Sequence, residues 1–323
     1  MTTTTGAPAT GRTAVGWGDL VWLTWRQHRW TVLGTAAAVG VAAALALGMA
    51  LHVDASGDSH DLLGQWRYLD VGEALAWTTA PLGALIAVFW AAPLLAREYE
   101  QRTHLMVWSQ DVTPLRWLVA KVVLLGIVAV ALTAGFGTAL VKMMNSFNAV
   151  SEYGPFLPFG NDAFEAAPQV QAGYAAFGFA LGLAFSALTR RTVLSMGLTL
   201  VGFTAARIAV AAFWRPFFQE PLRRVEPYET LLATWRMLDG SWVVGGGYLD
   251  AAGHEIHPVV CMDLARNDDY ARCMADSGIR YFTDYHPVER LGTFQAVEFA
   301  IFAGLAACLF AVTFTRVRRL RRV

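Results

Sequence analysis

Residues 97–121, REYEQRTHLMVWSQDVTPLRWLVAK, form a charged and amphipathic interruption between two long apolar runs of the chain. The flanking runs cover about residues 74–95 and 117–141, and a helix needs roughly 20 apolar residues to cross a bilayer. Both runs are therefore predicted to span a membrane, and the polar residues between them are predicted to face one side of it.

Hydropathy predicts six such spans in the 323-residue chain. The chain is 55% apolar and 15% charged, with a mean hydropathy of +0.41, whereas soluble domains are about 25% charged. The first apolar run starts about 30 residues in and has no small-residue cleavage site after it, which argues against a cleavable signal peptide. The predicted fold is an all-α polytopic membrane protein with spans at about 30–51, 74–95, 117–141, 169–188, 193–214 and 294–315.

The orientation of these spans follows from the placement of lysine and arginine, because short loops rich in these residues stay in the cytoplasm. The two short loops on the opposite side contain only Arg67 and Lys142. Both termini and residues 97–121 are therefore predicted to be cytoplasmic in a multi-pass plasma-membrane protein. The basic residues on that side are Arg12, Arg26, Arg29, Arg97, Arg102, Arg116, Lys121, Arg190, Arg191, Arg316, Arg318, Arg319, Arg321 and Arg322.

The chain divides into four predicted regions. Residues 1–29 combine a disordered tail with an interfacial connecting helix that starts near Trp17, and the alternative is that this helix is a cytosolic extension of the first span. Residues 30–214 hold the first five spans and a polar helix at about 97–112. Residues 215–293 form an extracellular cap, and residues 294–323 hold the last span and a basic tail.

The segment 215–293 is long enough to fold into a small α+β cap. Its patterns predict a helix at 227–238, a hairpin turn at 250–253 and a strand at 279–285. Cys261 and Cys273 both lie in this segment, where a disulfide between them could persist outside the cytoplasm. The alternative is two free thiols in a short helical segment, and Cys308 is predicted to be a small buried residue of the last span.

The sequence carries no nucleotide-hydrolysis motif. A Walker A loop needs a G-K-[ST] sequence, and neither of the two lysines, Lys121 and Lys142, has such neighbours. No H-E-x-x-H or G-x-S-x-G motif is present, so we predict no metal, no cofactor and no enzymatic activity on this chain. The formal net charge of zero gives no reason to expect a nucleic-acid partner.

Two ionisable residues, Arg207 and Glu298, fall inside the fifth and sixth predicted spans. Charged residues at membrane depth normally face protein or water and find partners there. Because consecutive spans are antiparallel neighbours, we predict that Arg207 pairs with Glu298. Such a pair is either purely structural or a polar feature near the outer gate of a pathway.

The interruption between the second and third spans has the pattern of an amphipathic helix. Leu105 and Trp108 lie on one ridge, and Glu98 and Arg102 belong to the polar surface. Thr113 followed by a proline is typical of the cap of the next helix. The helix either docks on a partner or is a solvated loop helix without one.

The order of several motifs resembles that of ABC-2 type transporter permeases, the stand-alone membrane subunits of actinobacterial ABC exporters. That family shows an acidic residue, a threonine, a proline and a basic residue after the second span, which Glu98, Thr103, Pro114 and Lys121 match. Residues 23–29 and 285–298 also resemble the segments before its first and last spans. The chain departs from the family at Arg102, where members often have glycine.

This resemblance implies a permease that moves a hydrophobic or amphipathic small molecule, lipid or peptide outward by alternating access among membrane lipids. The energy would come from a separate cytoplasmic ABC ATPase dimer, which binds ATP and magnesium, and a second permease copy or a paralogue would complete the pathway. Residues 97–108 would be the coupling helix. Its predicted ATPase-coupling residues are Arg97, Glu98, Arg102, Thr103, Leu105 and Trp108.

An alternative from another class is a membrane sensor or immunity protein that binds an external ligand through residues 215–293. It requires no ATPase. The sequence leaves open the identity of the cargo and the choice between a homodimer and a heterodimer.

Overall fold

The computed structural model describes residues 15–56, 66–101, 113–151, 154–227, 240–257, 261 and 267–319. Within these residues, six helices are long and apolar enough to cross a membrane, as the hydropathy predicts. Their bounds are Trp17–Ser56, Tyr68–Glu100, Pro114–Val150, Pro168–Thr189, Thr192–Phe217 and Val288–Arg319. A short helix, Asn161–Ala166, precedes the fourth span.

The first span is one continuous helix of 40 residues from Trp17 to Ser56. The segment predicted as a separate interfacial helix is the N-terminal part of this helix, so that prediction is corrected in favour of an extended first span. The physical reason is local, because residues 26–30 contain neither glycine nor proline and nothing interrupts the backbone ladder. Arg26 and Arg29 instead lie over the rings of neighbouring tryptophans.

The second span is broken into pieces. It runs through helices Trp66–Trp77 and Thr79–Ile86, a π-helical turn at Ala87–Ala91, and a last helix at Pro93–Glu100. Pro81 lies in the first turn of the helix piece that begins after the break at Thr78, where a residue without an N–H group is tolerated.

The backbone groups at the π-turn break are bonded by side chains of other spans. The hydroxyl of Ser186 in the fourth span accepts from the N–H groups of Leu95 and Ala96, at 3.0 and 2.7 Å. The hydroxyl of Ser195 in the fifth span donates to the carbonyl of Ala92 at 3.2 Å. A broken helix persists at membrane depth only where neighbours re-satisfy its backbone.

The glycines of the fourth span pack against this broken turn. A methyl group placed on Gly182 would lie 2.7 Å from the carbonyl oxygen of Ala87, and one on Gly178 would lie 3.0 Å from the Ala87 side chain. The GxxxG spacing of these two residues therefore serves close packing within the chain.

The spans form an inner and an outer set. In the most apolar window of each span, 72% of the second and 67% of the fourth is buried, against 22–39% of the other four. The first span packs mainly on the third, and the sixth packs on the fourth. Cys308 lies on the exposed face of the sixth span, so the expectation that it is buried is wrong.

One end of the bundle holds those basic residues predicted to face the cytoplasm that the structure describes, and it is called the basic end below. Arg116 at the start of the third span lies over the ring of Trp17, with the guanidinium carbon 4.9 Å from the ring centre. The final residues of the sixth span line a surface recess together with Thr113 and Pro114. The opposite end, called the cap end, is covered by the segment between the fifth and sixth spans.

The described part of the cap contains an antiparallel sheet with strands β1 at Leu222–Pro227, β2 at Trp242–Leu249, β3 at Glu255–Ile256 and β4 at Arg280–His286. The strands are paired in the order β1-β4-β2-β3. Gly253, at a φ of +92°, closes the predicted hairpin between β2 and β3. Pro227 ends β1 rather than opening a helix, and the rest of the predicted helix, 228–238, lies outside the described residues.

A disulfide joins Cys261 to Cys273, with 5.9 Å between the Cα atoms. Cys273 lies on the cap helix Asn267–Asp276. Cys261 is fully buried and packs in a small cluster with Met274 and Ile279. The bond thus lies beside the apolar contacts that hold the cap helix to the sheet.

Candidate functional site

The structure describes only part of the predicted ATPase-coupling surface. Arg97 and Glu98 lie in the last turn of the second span, which ends at Glu100. Arg102, Thr103, Leu105 and Trp108 lie outside the described residues, so their roles stay predictions.

Glu98 ties the end of the second span to the start of the third. Its carboxylate lies 2.5 Å from the ammonium nitrogen of Lys121, and the Lys121 side chain is only 2% exposed. The same ammonium lies 4.1 Å from the centre of the Trp117 ring, a cation–π contact. Because a buried lysine needs a charged partner, this pair fixes the two spans to each other at the basic end.

Glu100 ties the same turn to the start of the fifth span. Its carboxylate accepts from the backbone N–H of Thr192 at 3.0 Å and from the Thr192 hydroxyl at 2.6 Å. A carboxylate at the first residue of a helix bonds a free N–H group and complements the helix dipole. Arg190, in the connection between the fourth and fifth spans, lies over the ring of Tyr99.

The far side of the undescribed segment is anchored as well. Thr113 caps the third span, since its hydroxyl oxygen accepts from the N–H of Arg116 at 3.3 Å and Pro114 occupies the first turn, as predicted. Residues 102–112 are thus held between two anchored helix ends.

A buried network of charges lies at the cap end. Arg215 donates to both carboxylate oxygens of Glu298 at 2.8 Å, through Nε and a terminal nitrogen. Arg207 pairs with Glu165 and donates to the Ala80 carbonyl at 2.7 Å. The predicted pair of Arg207 with Glu298 is corrected, since each residue has a different partner.

The network joins several elements and balances its charges. The Tyr174 hydroxyl donates to Glu298, and Arg215 also donates to the amide oxygen of Asn161 at 3.0 Å. Arg215 lies 3.6 Å from Glu165, so the two ion pairs are neighbours. Two arginines thus face two glutamates, and the second, fourth, fifth and sixth spans meet at one buried polar centre.

Sequence reasoning missed Glu165 and Arg215 because both were assigned to external connections. A π-helical turn at Val210–Trp214 and a 3₁₀ turn at Arg215–Phe217 continue the fifth span beyond its predicted end. Arg215 and Glu298 are 2% and 1% exposed, respectively. The sequence did contain a clue. Pro168 follows Glu165 by three residues and Pro216 follows Arg215 directly, and prolines are frequent at helix termini.

His286 anchors the cap to the spans. Its Nε2 donates to the carbonyl of Pro216 at 3.1 Å, and its ring lies 4.8 Å from that of Phe294 at the top of the sixth span. Burial lowers the pKa of His286, Arg290 lowers it further, and the hydrogen bond to Pro216 opposes the shift. Burial therefore favours the neutral ring in the folded protein, and the hydrogen bond to Pro216 only partly offsets this.

No cluster of three or more His, Cys, Asp or Glu side chains that could hold a metal ion occurs among the residues that the structure describes.

No curated protein and no solved structure matches the chain. A family model described as "ABC-2 membrane transporter related" matches residues 29–215, more than half of the chain. The match covers most of the first span, all of the second to fourth spans and the fifth span up to Arg215. The chain therefore belongs to the ABC-2 membrane transporter related family and is a multi-pass membrane transporter subunit.

Proposed function

We propose that this chain is the permease subunit of an ATP-driven exporter. A separate cytoplasmic ABC ATPase dimer hydrolyses ATP with magnesium, and this chain carries a hydrophobic or amphipathic cargo outward by alternating access. The pathway forms between two permease subunits, as a homodimer or with a paralogue. The protein lies in the plasma membrane with the basic end in the cytoplasm.

The observation that carries this proposal is the anchoring of the helix end that precedes residues 102–112. Glu98 connects one end of the segment to the third span, and Glu100 connects it to the fifth span. A force applied to this segment by a cytoplasmic partner therefore reaches three spans through short polar contacts. A solvated loop without a partner would need no such connections.

The broken second span supplies a place where that force can change the shape of the bundle. The π-helical turn at Ala87–Ala91 lies two helical turns before Glu98, and Ser186 and Ser195 of neighbouring spans hydrogen-bond the backbone groups just after it. Such turns occur frequently at functional sites in helices. We infer that the last piece of the second span moves as a lever about this turn.

The cytoplasmic placement of the basic end rests on its charge. Arginines of the first span, the connection between the fourth and fifth spans, and the end of the sixth span all belong to this end. Short loops with an excess of lysine and arginine remain in the cytoplasm. A coupling segment on this side can reach an ATPase, which requires cytoplasmic ATP.

The test is to replace Glu98 by alanine and to measure ATP hydrolysis and transport in proteoliposomes that hold the chain with its co-purifying ATPase. We expect hydrolysis no longer to drive transport. The change also leaves the Lys121 ammonium buried without its charged partner, so the folded state of the variant is checked by gel filtration before the assay. The matched control is Lys142→Ala, which removes an exposed ion pair to Asp54 of 2.7 Å at the cap end and should leave coupling intact. If Glu98→Ala transports with unchanged ATP consumption per cargo, or if no ATPase co-purifies, the proposal is wrong.

The same assay applies to Trp108, the predicted apolar anchor of the coupling helix. Aromatic residues are frequent anchors at protein interfaces. We expect Trp108→Ala to weaken co-purification of the ATPase, whereas Trp77→Ala, a change of an exposed tryptophan of the second span, should not.

A further inference from the structure

A cleft of about 380 Å³ lies between the first and second spans near the basic end. Small-molecule sites typically enclose about 300–1,000 Å³. The third span closes the back of the cleft with Leu125, while the first span packs mainly on the third. The cleft is therefore a recess between two spans that a molecule could occupy from the membrane or from the basic end.

The lining changes from polar to apolar with depth. Gln27 and His28 of the first span face Arg97 of the second span at the basic end of the cleft. Phe89 and Trp90 line its deeper part, eight and seven residues before Arg97, which is about 12 Å along a helix at 1.5 Å per residue. A ligand that matches this lining has a polar head and one apolar chain.

The charge at the mouth is positive. Glu98 also lines the cleft, but its carboxylate is paired with Lys121. Arg97 is exposed and forms no ion pair within the part of the chain that the structure describes. A guanidinium binds phosphate and carboxylate groups through two parallel hydrogen bonds, so the mouth favours an anionic head over a neutral or zwitterionic one.

We propose that this cleft binds an amphiphile with an anionic head at Arg97 and a single apolar chain against Trp90 and Leu125. Calling this amphiphile the exported cargo rests on the proposed function. Its chain would touch the π-helical turn through Phe89 and Trp90, and its head would lie one residue from Glu98. A molecule bound in the cleft would thus contact the last piece of the second span, which we propose moves as a lever.

The experiment uses the purified full chain in a maltoside detergent and three probes with the same chain: tetradecyl phosphate, tetradecyl phosphocholine and tetradecyl maltoside. Binding is measured by native mass spectrometry over a probe titration. We expect tetradecyl phosphate to bind about tenfold more tightly than the other two, as one charged hydrogen-bonded contact implies. Equal binding of all three probes overturns the proposal.

The matched variants are Arg97→Gln and Arg26→Gln. Both arginines are exposed, and Arg26 lies over the Trp22 ring on the first span, outside the cleft lining. Arg97→Gln should remove the roughly tenfold preference for phosphate, and Arg26→Gln should retain it. Retention of the preference in Arg97→Gln overturns the proposal, and neither variant threatens the fold because both side chains are exposed.

A second arm distinguishes an exported cargo from a resident membrane lipid. If tetradecyl phosphate binds and also stimulates ATP hydrolysis by the assembled complex, the cleft binds the class of molecule that is exported. If it binds without stimulating hydrolysis, the cleft is a site for a resident membrane lipid. Both results support the cleft. The binding arm contains no ATPase, so it succeeds or fails independently of the coupling test with Glu98→Ala.

Discussion

Replacing Glu298 by methionine is the most demanding test of the buried charge network. Glu298 and Arg215 are almost completely buried, and two hydrogen bonds of 2.8 Å join them. Methionine has a similar size and no charge, so the change leaves the Arg215 guanidinium buried without its main partner. Among the described carboxylates, Glu165 is the one left near Arg215, at 3.6 Å, and it is already paired with Arg207.

The size of the effect follows from this geometry. Removing one partner of a buried ion pair costs about 3–5 kcal/mol, because an uncompensated charge stays buried. The nearby Glu165 carboxylate partly neutralises the charge of Arg215. We therefore expect Glu298→Met to lower the free energy of unfolding by about 3 kcal/mol, the lower end of that range. Removing both charges in the double variant Arg215→Met, Glu298→Met should cost only about 1–2 kcal/mol, mostly from the lost hydrogen bond of Tyr174.

The assay is reversible unfolding of the full chain in mixed micelles of increasing SDS content, followed by far-UV circular dichroism. Lys142→Ala is the control, since exposed ion pairs contribute about 0–1 kcal/mol. The reasoning is refuted if Glu298→Met unfolds within about 0.5 kcal/mol of the unchanged protein, the range of ordinary surface substitutions. It is refuted equally if the double variant costs the sum of the two single changes.

Two further predictions concern packing and pH. Gly182→Ala should lower stability by about 1–3 kcal/mol in the same SDS assay, because its methyl group would meet the Ala87 carbonyl oxygen at 2.7 Å, while Gly197→Ala, which has open space around it, should not. For His286, burial lowers the pKa in the folded state below its unfolded value of 6.5. The unfolded chain then takes up the proton more readily, so thermal stability should fall as pH drops below about 6.5, and His286→Gln should show a weaker fall; an identical pH profile in that variant would contradict the assignment.

The sequence predicted those features of the fold that depend on local patterns. Six apolar runs in the sequence correspond to six long helices in the structure. The ability of a helix to span a membrane depends on its own length and composition rather than on its neighbours. Thr113 and Pro114 marked a helix start, and Gly253 marked a hairpin, because these residue types satisfy local backbone requirements. The interfacial helix failed because a local pattern of tryptophans and arginines does not say whether a helix bends at the membrane surface.

The candidate site was less predictable because it depends on how the helices face one another. Glu98 was recognised as a key polar residue from the sequence, but its partner Lys121 lies 23 residues away and was not predicted to pair with it. Arg207 and Glu298 were identified from the sequence as charges inside apolar spans, but they were wrongly paired with each other. Their actual partners lie 42 and 83 residues away, and one of them, Arg215, lay beyond the predicted end of its span.

The sequence alone determined that this protein is a bundle of six spans with a basic end, a capped end and no nucleotide-hydrolysis motif, because hydropathy and charge act on each segment separately. The tertiary structure decided which charges neutralise one another, where the second span breaks and where a cleft opens beside Arg97. These features depend on helix rotation and on π-helical turns, which shift side chains around a helix without changing its composition. Residues 97–121 illustrate the difference. Their polarity was evident from the sequence, whereas the contacts of Glu98 with the third span and of Glu100 with the fifth span were revealed only by the packing of the helices.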